Sequence, residues 1–171
     1  MANNAPNERD VSEPQIMEII ISPGHDYWVG KGESPLQYGA TSVASVDCLA
    51  GRGLRGDRYA EKPSNHKGQV TFLSWQTIGE IRRQFDLPDL PATVFRRNII
   101  VSGLNLADLV GQRFCIQGVE FEGSEECRPC HWMDRVVGEG ALAFMKENFR
   151  GGLRARILSD GVLSTLKNPG D

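Results

Sequence analysis

Two cysteines separated by two residues form the segment of the sequence best suited to chemistry. The segment Cys127-Arg128-Pro129-Cys130 admits three interpretations: part of a structural zinc site, a redox dithiol, or two thiols without a chemical role. A dithiol of the thioredoxin type belongs in a βαβ frame, which the sequence does not indicate. A zinc site would need further ligands from scattered Cys and His residues, namely Cys48, Cys115, His25, His66 and His131.

The neighbours of the second cysteine favour an exposed thiol over a buried one. Pro129 and the charged residues Glu126 and Arg128 are typical of a surface loop. His131 and the nearby arginines favour the thiolate form of Cys130, and the thiolate is the form that attacks or binds metal.

A glycine-rich segment carries the first of three arginine clusters. Residues 51–56, Gly-Arg-Gly-Leu-Arg-Gly, match the dinucleotide-binding pattern Gly-x-Gly-x-x-Gly. That pattern needs a helix to begin there, whereas the following residues have no helical apolar period and include Pro63. We therefore favour a glycine turn, around which Arg52, Arg55 and Arg58 place forked guanidinium donors suited to an anionic small molecule.

The other two arginine clusters fall in segments predicted as strands. In Leu153-Arg154-Ala155-Arg156-Ile157, strict alternation places Arg154 and Arg156 on one face, either in solvent or toward a ligand. In Phe95-Arg96-Arg97-Asn98-Ile99, the side chains of Arg96 and Arg97 point in opposite directions, so one of them is directed inward or toward a rim. An inward guanidinium needs a partner or a ligand, because burial of an uncompensated charge is costly.

These segments lie among many short predicted strands and about two helices. A helix is expected to begin after Ser74, since Trp75, Ile78, Ile81 and Phe85 have helical spacing, and to end before Pro88. A second helix is predicted over 140–149 and a short turn or helix over 104–110. The predicted strands are 15–22, 41–50, 69–73, 94–101, 112–117, 119–122, 153–159 and 162–167.

The order of these elements predicts a mainly β fold, an antiparallel β-barrel with helices packed outside. Asp160-Gly161 is a strong two-residue hairpin signal, which would pair 153–159 with 162–167. We see no βαβ alternation that would indicate a parallel sheet. Residues 1–14 have the composition of a disordered tail, and 15–171 form a single domain.

Composition narrows the classes of partner. The chain has 171 residues, 40% hydrophobic and 24% charged, with a net charge of -3, so nonspecific binding to nucleic acid or to an anionic membrane is not expected. The apolar run near the start is too short and interrupted for a membrane span or a secretory leader. We therefore expect a cytoplasmic protein, in which the four cysteines serve thiol or metal chemistry rather than disulfides.

Four segments together resemble the MOSC family, the domain named for the C-terminus of molybdenum cofactor sulfurases. They are Gly53-Leu54-Arg55-Gly56-Asp57-Arg58-Tyr59, Phe95-Arg96-Arg97-Asn98-Ile99, Cys127-Arg128-Pro129-Cys130 and Gly151-Gly152-Leu153-Arg154-Ala155-Arg156. Their order and spacing cover the chain from about Ile16 onward and match the small stand-alone members. The sulfurases' pyridoxal-phosphate domain has no counterpart here, so their desulfurase activity is not carried over.

The resemblance implies a β-barrel with a site for the molybdenum cofactor, molybdopterin, and gives Cys130 the role of metal ligand and catalytic thiol. The expected cofactor-binding residues are Arg55, Asp57, Arg58, Arg97, Asn98, Arg154 and Arg156. The implied activity is reduction of small N-hydroxylated or N-oxygenated substrates. Because the sequence has no flavin, haem or iron-sulfur motif, a separate electron-donor protein would be needed.

Two alternatives stay open beside the reductase. Cys130 could carry a persulfide received from a sulfur-donor protein, or the chain could be a non-catalytic domain that binds zinc or stores the cofactor. The sequence leaves the oligomeric state undetermined.

Overall fold

The computed structural model describes residues 13–25, 38–62 and 65–166. Within these ranges the chain is mainly β, as predicted. The strands are β1 (Gln15–Ile21), β2 (Thr41–Val43), β3 (Ser45–Leu49), β4 (Gly53–Leu54), β5 (Val70–Ser74), β6 (Ile99–Ser102), β7 (Arg113–Ile116), β8 (Val119–Glu126), β9 (Leu153–Ile157) and β10 (Gly161–Ser164). The α-helices are α1 (Trp75–Gln84), α2 (Trp132–Val136) and α3 (Ala141–Met145), and short 3-10 turns span Arg58–Glu61, Ala92–Phe95 and Leu106–Leu109.

The strands form a large mixed sheet and a small antiparallel one. The large sheet has the order β2-β1-β6-β5-β9-β8-β7, and the small sheet has the order β10-β3-β4. Strands β5 and β6 are parallel neighbours, so the expectations of an antiparallel sheet and of no βαβ unit are wrong at this point. Parallel neighbours need a long crossover, and α1 supplies it. Across the described ranges the paired strands do not close into a ring, so the barrel is not confirmed.

The large sheet is apolar on both faces because both are covered. Ile19 and Phe72 join one hydrophobic core together with residues of β3 and β10. Their neighbours Ile20 and Leu73 point the other way and join a second core with residues of α1, α2 and α3. Alternate side chains of a strand point to opposite faces, so continuous apolar runs are what a sheet between two layers requires. The helices therefore lie outside the sheet, as expected.

The hairpin predicted at Asp160-Gly161 is wrong. β9 pairs with β5 and β8 in the large sheet, whereas β10 pairs with β3 in the small one. The turn thus carries the chain between sheets. Asp160 Oδ1 accepts a hydrogen bond of 2.7 Å from the Ala50 amide, and a side chain at Gly161 would meet Val119 at 2.7 Å. These distant contacts outweigh the local preference of the Asp-Gly pair for a hairpin.

Other predicted elements are shortened or divided. The strand expected over 94–101 begins at Ile99, since Ala92–Phe95 form a 3-10 turn and Arg96 has a left-handed φ of 58°. The strand expected over 41–50 is divided at Ala44, because β2 and β3 belong to different sheets. The helix expected over 140–149 spans only α3, and α2 was not predicted.

Helix α1 begins at Trp75 directly after Ser74, as expected, although the Ser74 hydroxyl donates to Gln76 rather than capping the helix. None of the described helices is long and apolar enough to cross a membrane. Most of the tail predicted over 1–14 lies outside the described residues.

Candidate functional site

A polar cavity of about 480 Å³ lies beside the loop that carries the cysteine pair. Among the described residues, its lining contains six Arg or Lys side chains and no Asp or Glu: Arg58, Lys62, Arg96, Arg97, Arg128 and Arg154. Cys127 and Cys130 are part of the same lining. We call this site the basic cavity. Its volume falls in the range of small-molecule sites, and its charge contrasts with the net charge of -3 of the whole chain.

The two cysteines of the cavity lining differ in solvent exposure. Cys127 is buried, with 5% of its surface exposed, whereas Cys130 is exposed. The Cys127 amide donates to Gly152 O at 2.7 Å, and Cys130 O accepts from the Met133 amide at 2.9 Å, near the start of α2. Backbone contacts at both ends thus hold the loop and leave the Cys130 thiol accessible.

Two glycines make the close approach to this loop possible. A Cβ on Gly151 would lie 2.3 Å from Cys127 O, and one on Gly152 would lie 2.1 Å from Phe72 O. Gly152 also has a φ of 89°, which favours glycine. The Gly151-Gly152 turn therefore seats the cysteine loop against β5.

Arg97 is buried beneath the cysteine loop. Its Nε donates to Gly151 O at 2.8 Å, its Nη1 to Phe95 O at 3.0 Å and its Nη2 to Cys127 O at 3.0 Å. Among the described carboxylates, none lies within ion-pair distance of Arg97. The inward arginine foreseen in the sequence thus satisfies its hydrogen bonds with backbone carbonyls and keeps its positive charge at the cavity wall.

Asn98 is committed to the backbone of neighbouring strands. Its Oδ1 accepts from the amide of Thr71 at 3.1 Å and from the Thr71 hydroxyl at 2.9 Å, while its Nδ2 donates to Ile20 O at 3.1 Å. Asn98 therefore ties β1 and β5 together and is not part of the lining of the basic cavity.

Arg58 offers an unused donor at the cavity wall. Its guanidinium lies 4.7 Å from the centre of the Tyr59 ring, and its Nη1 is 3.6 Å from Asp57 Oδ1. Its Nε is buried and has no hydrogen-bond partner among the described residues. Buried donors are nearly always paired, so this atom is suited to a ligand.

Asp57 organises the turn that positions Arg58. Its Oδ1 accepts from the Ser22 amide at 2.9 Å, and its Oδ2 accepts from the Tyr59 amide at 3.2 Å. The residue caps the 3-10 turn and is buried, outside the lining of the basic cavity. Only glycine fits at position 53 without a shift of the backbone, because a Cβ there would lie 2.9 Å from the Ala60 amide nitrogen.

Arg154 places a charge between the cavity and an acidic neighbour. Burial alone would lower the pKa of Arg154. The interaction with Cys127, which includes a hydrogen bond, and the charge of Glu125 act in the opposite direction, and the net effect is a raised pKa. Its Nη1 lies 3.0 Å from Glu125 Oε1 across the β8–β9 pair. Arg154 therefore stays cationic beside the Cys127 thiol.

Two of the predicted arginines point elsewhere. Arg55 is exposed and pairs with Asp47 at 2.8 Å, and Arg156 pairs with Glu122 at 3.0 Å across the strands. Neither belongs to the lining of the basic cavity. The cavity thus brings together Cys130, Arg58, Arg97 and Arg154 from the predicted set, while Arg55, Asp57, Asn98 and Arg156 lie outside its lining.

A set of aromatic and basic side chains completes one wall and was not predicted as cofactor-binding. The Tyr59 ring stacks on His66 at 6.3 Å, meets His25 edge-on at 5.7 Å and has Lys62 over it at 5.2 Å. In the sequence the two histidines were weighed only as zinc ligands. The signal available was Tyr59, which follows the arginine-rich turn directly.

His25 is held neutral in this wall. Burial first, and then the charges of Arg58, Lys62 and Arg96, lower the pKa of His25 from 6.5 to about 4. A neutral imidazole keeps one ring nitrogen as a hydrogen-bond acceptor.

The described residues contain no group of three His, Cys, Asp or Glu side chains placed to hold a metal ion. A zinc site built from protein ligands alone therefore finds no support there.

Three bacterial crystal structures are among those that resemble this fold. The YUAD protein from Bacillus subtilis has a TM-score of 0.68 at 14% identity, covering 89% of this chain and 91% of that one. YiiM from Geobacillus stearothermophilus has a TM-score of 0.65 at 17% identity, covering 88% of this chain and 71% of that one. YiiM from Escherichia coli has a TM-score of 0.60 at 16% identity, covering 72% of this chain and 60% of that one. At these identities the likeness concerns the fold alone.

No match to this sequence was found among curated proteins. A family model described as the MOSC domain matches residues 58–167, well over half of the chain. This stretch contains both cysteines of the loop and every basic side chain of the basic cavity.

Proposed function

The chain belongs to the MOSC domain family, and from that membership we propose that it binds the molybdenum cofactor in the basic cavity and reduces N-hydroxylated or other N-oxygenated compounds. One observation carries the proposal: the exposed Cys130 lines a cavity in which the described lining residues include six Arg or Lys side chains and no carboxylate. A thiolate and an anion-binding wall are what a metal-dithiolene ending in phosphate requires from a protein.

The cavity residues fit this cofactor in charge and donor type. Molybdenum accepts soft thiolate ligands, and Cys130 supplies one. The buried Nε of Arg58, unpaired among the described residues, and the cationic Arg154 suit the phosphate and the polar pterin. The volume of about 480 Å³ suits a ligand of this class.

Three cavity residues have separate roles in this proposal. The cofactor, when bound, would supply two-electron oxygen-transfer chemistry. Cys130 would hold the metal, and Arg97 keeps the cysteine loop in place through Cys127 O. The neutral ring of His25 would be available to accept a hydrogen bond from an N–H group of the ligand. Electrons would come from a separate donor protein.

A persulfide carrier is the second candidate, and the exposure of Cys130 favours it. In that role the Cys130 thiolate attacks the outer sulfur of a persulfide on a donor protein. The donor's S–S bond breaks, the donor cysteine leaves as a thiolate, and the basic cavity orients the acceptor to which Cys130 passes the sulfur. The buried Cys127 would take no direct part.

The test is the content of the protein purified from a host that makes the cofactor. The reductase proposal expects near-stoichiometric molybdenum, a fluorescent oxidised pterin on denaturation, and reduction of an N-hydroxy compound with reduced viologen as electron donor. Stoichiometric zinc without pterin would contradict it. One added sulfur on Cys130 without molybdenum would establish the carrier instead, and bound cofactor without turnover would indicate storage.

A further inference from the structure

We infer that a second pocket, next to the basic cavity, binds a single-ring hydrocarbon group of the substrate. The pocket has a volume of about 170 Å³ and an apolar lining from β1, the Ala92–Phe95 turn and α2. We call it the apolar pocket, and its apolar side chains are Ile20, Ile21, Ala40, Val94 and Val136. The inference rests on the proposed function, since it names the substrate class for that same site.

Two polar side chains of the apolar pocket, Asn98 and Ser22, are already hydrogen-bonded. The Asn98 amide is bonded to Thr71 and to Ile20 O. The Ser22 hydroxyl has a single proton and lies within hydrogen-bond distance of two carbonyl oxygens, Gly24 O at 3.0 Å and Gly39 O at 2.5 Å. A polar ligand group placed against these two side chains would lose its contacts with water without replacement, so this part of the lining favours hydrocarbon, whereas the arginines of the lining can serve a polar group.

The two sites are continuous. Arg58, Arg96, Arg97 and Trp132 line both the apolar pocket and the basic cavity. At this shared wall the Arg96 guanidinium lies 5.4 Å from the centre of the Trp132 ring. One molecule can therefore place its hydrocarbon group in the apolar pocket and its polar reacting group in the basic cavity.

The volume suits a hydrocarbon group of one ring. A protein cavity of about 150 Å³ lined by aliphatic and aromatic side chains binds benzene. The apolar pocket, at about 170 Å³, therefore has room for a phenyl ring or a branched alkyl group of that size. The substrate class is thus an N-oxygenated compound with a single-ring body.

Binding can be tested without turnover. Methyl NMR of the purified full chain is recorded with benzyl alcohol as the probe and with methanol as the control that lacks the ring. Benzyl alcohol is expected to shift the methyl signals of Val94 and Val136 and to leave those of Val162, exposed on β10, unchanged. Methanol at the same concentration is expected to shift none of them. The absence of a benzyl alcohol shift at Val94 and Val136, or equal shifts with methanol, would overturn the inference.

Filling the pocket tests its link to the reaction. In the cofactor-loaded protein, Val94→Phe and Val136→Phe are each expected to lower the ratio of kcat/KM for a phenyl amidoxime over a methyl amidoxime by at least tenfold. Val162→Phe adds the same group outside both sites and is expected to leave that ratio unchanged. An unchanged ratio in both pocket variants would contradict the inference. Failure of the unmodified protein to reduce either amidoxime would instead contradict the proposed function, and the NMR result would still decide whether the pocket binds a ring.

Discussion

At the scale of the residue, Arg58 is the side chain whose surroundings most clearly await a ligand. Its buried Nε is unpaired among the described residues, and the neighbouring Asp57 is occupied by two backbone amides. A charge-assisted hydrogen bond contributes about 1.5–3 kcal/mol. Arg58→Met is therefore expected to weaken cofactor binding roughly tenfold to a hundredfold.

The matched control for Arg58 is an arginine on the outer helix. Arg83 on α1 is exposed and is not part of the lining of the basic cavity, so Arg83→Met is expected to leave cofactor affinity unchanged. The measurement is the dissociation constant of the cofactor for each variant. Equal affinities in the two variants would show that Arg58 takes no part in binding.

The cysteines are expected to differ in reactivity because they differ in burial. Burial, and then the charge of Asp47, raise the pKa of Cys48 to about 12, whereas Cys115 and Cys130 are exposed. In cofactor-free protein, iodoacetamide at neutral pH is expected to label Cys115 and Cys130 and to spare Cys48 until the chain is unfolded. Peptide mass spectrometry gives the site of labelling, and early modification of Cys48 would contradict the burial of its thiol.

His25 should titrate far below an ordinary histidine. The lowered folded pKa of about 4 means that the unfolded chain, with a value near 6.5, binds the proton first as pH falls. The contribution of His25 to stability is therefore full above pH 6.5 and is lost as pH falls toward 4. NMR titration of the ring in cofactor-free protein is expected to show a midpoint near 4, and Lys62→Met is expected to raise it. A midpoint near 6.5 would contradict the buried, cationic surroundings.

At the scale of the element, the Gly151-Gly152 turn joins the sheet to the cysteine loop. Gly152→Ala places a Cβ 2.1 Å from Phe72 O in a left-handed conformation, so β5 or the loop must move. Gly111 is a control with a similar φ of 73° and no atom within 4 Å of an added Cβ. The Gly111→Ala variant is expected to lose about 1 kcal/mol of unfolding free energy, and Gly152→Ala about 3 kcal/mol or more. Urea unfolding compares them, and equal losses would show that the close approach is unimportant.

Elements fixed by local sequence were predictable, and elements fixed by distant contacts were not. β1, β5 and the start of α1 follow from local apolar patterns and were predicted close to their observed bounds. The segment before Ile99 was misassigned because burial of Phe95 against the helices and the hydrogen bonds of Arg97 determine its backbone. The Asp160-Gly161 turn was misassigned because its partner, Ala50, is remote in sequence.

The same distinction applies to the site. Cys130, Arg58, Arg97 and Arg154 could be named from residue type and from the family resemblance, and they do line one cavity. Alternation along β9 could not reveal that Arg156 pairs with Glu122 on the neighbouring strand. The grouping of the His25, Tyr59 and His66 rings could not be predicted either, because these residues come from loops and turns without a periodic sequence pattern.

At the scale of the whole molecule, an acidic chain concentrates positive charge in one cavity. Arg154 lies on β9 of the large sheet, Arg97 lies between α1 and β6, and Arg58 lies in the turn after β4. These segments are distant in sequence and are brought together by the mixed sheet. The fold thus concentrates positive charge beside the cysteine loop in a chain whose net charge is -3.

The most direct measurement of the proposed function is the molybdenum content of a matched pair of cysteine variants. Cys130→Ser removes the exposed thiol, whereas Cys127→Ser alters the buried thiol beside Arg154. Both proteins, purified from a cofactor-producing host with circular dichroism as a check on folding, are analysed for molybdenum and pterin. If Cys130 is the ligand, Cys130→Ser loses nearly all of its molybdenum and Cys127→Ser keeps most of it. Equal retention in the two folded variants, or equal loss from both, would contradict the assignment of Cys130 as the metal ligand.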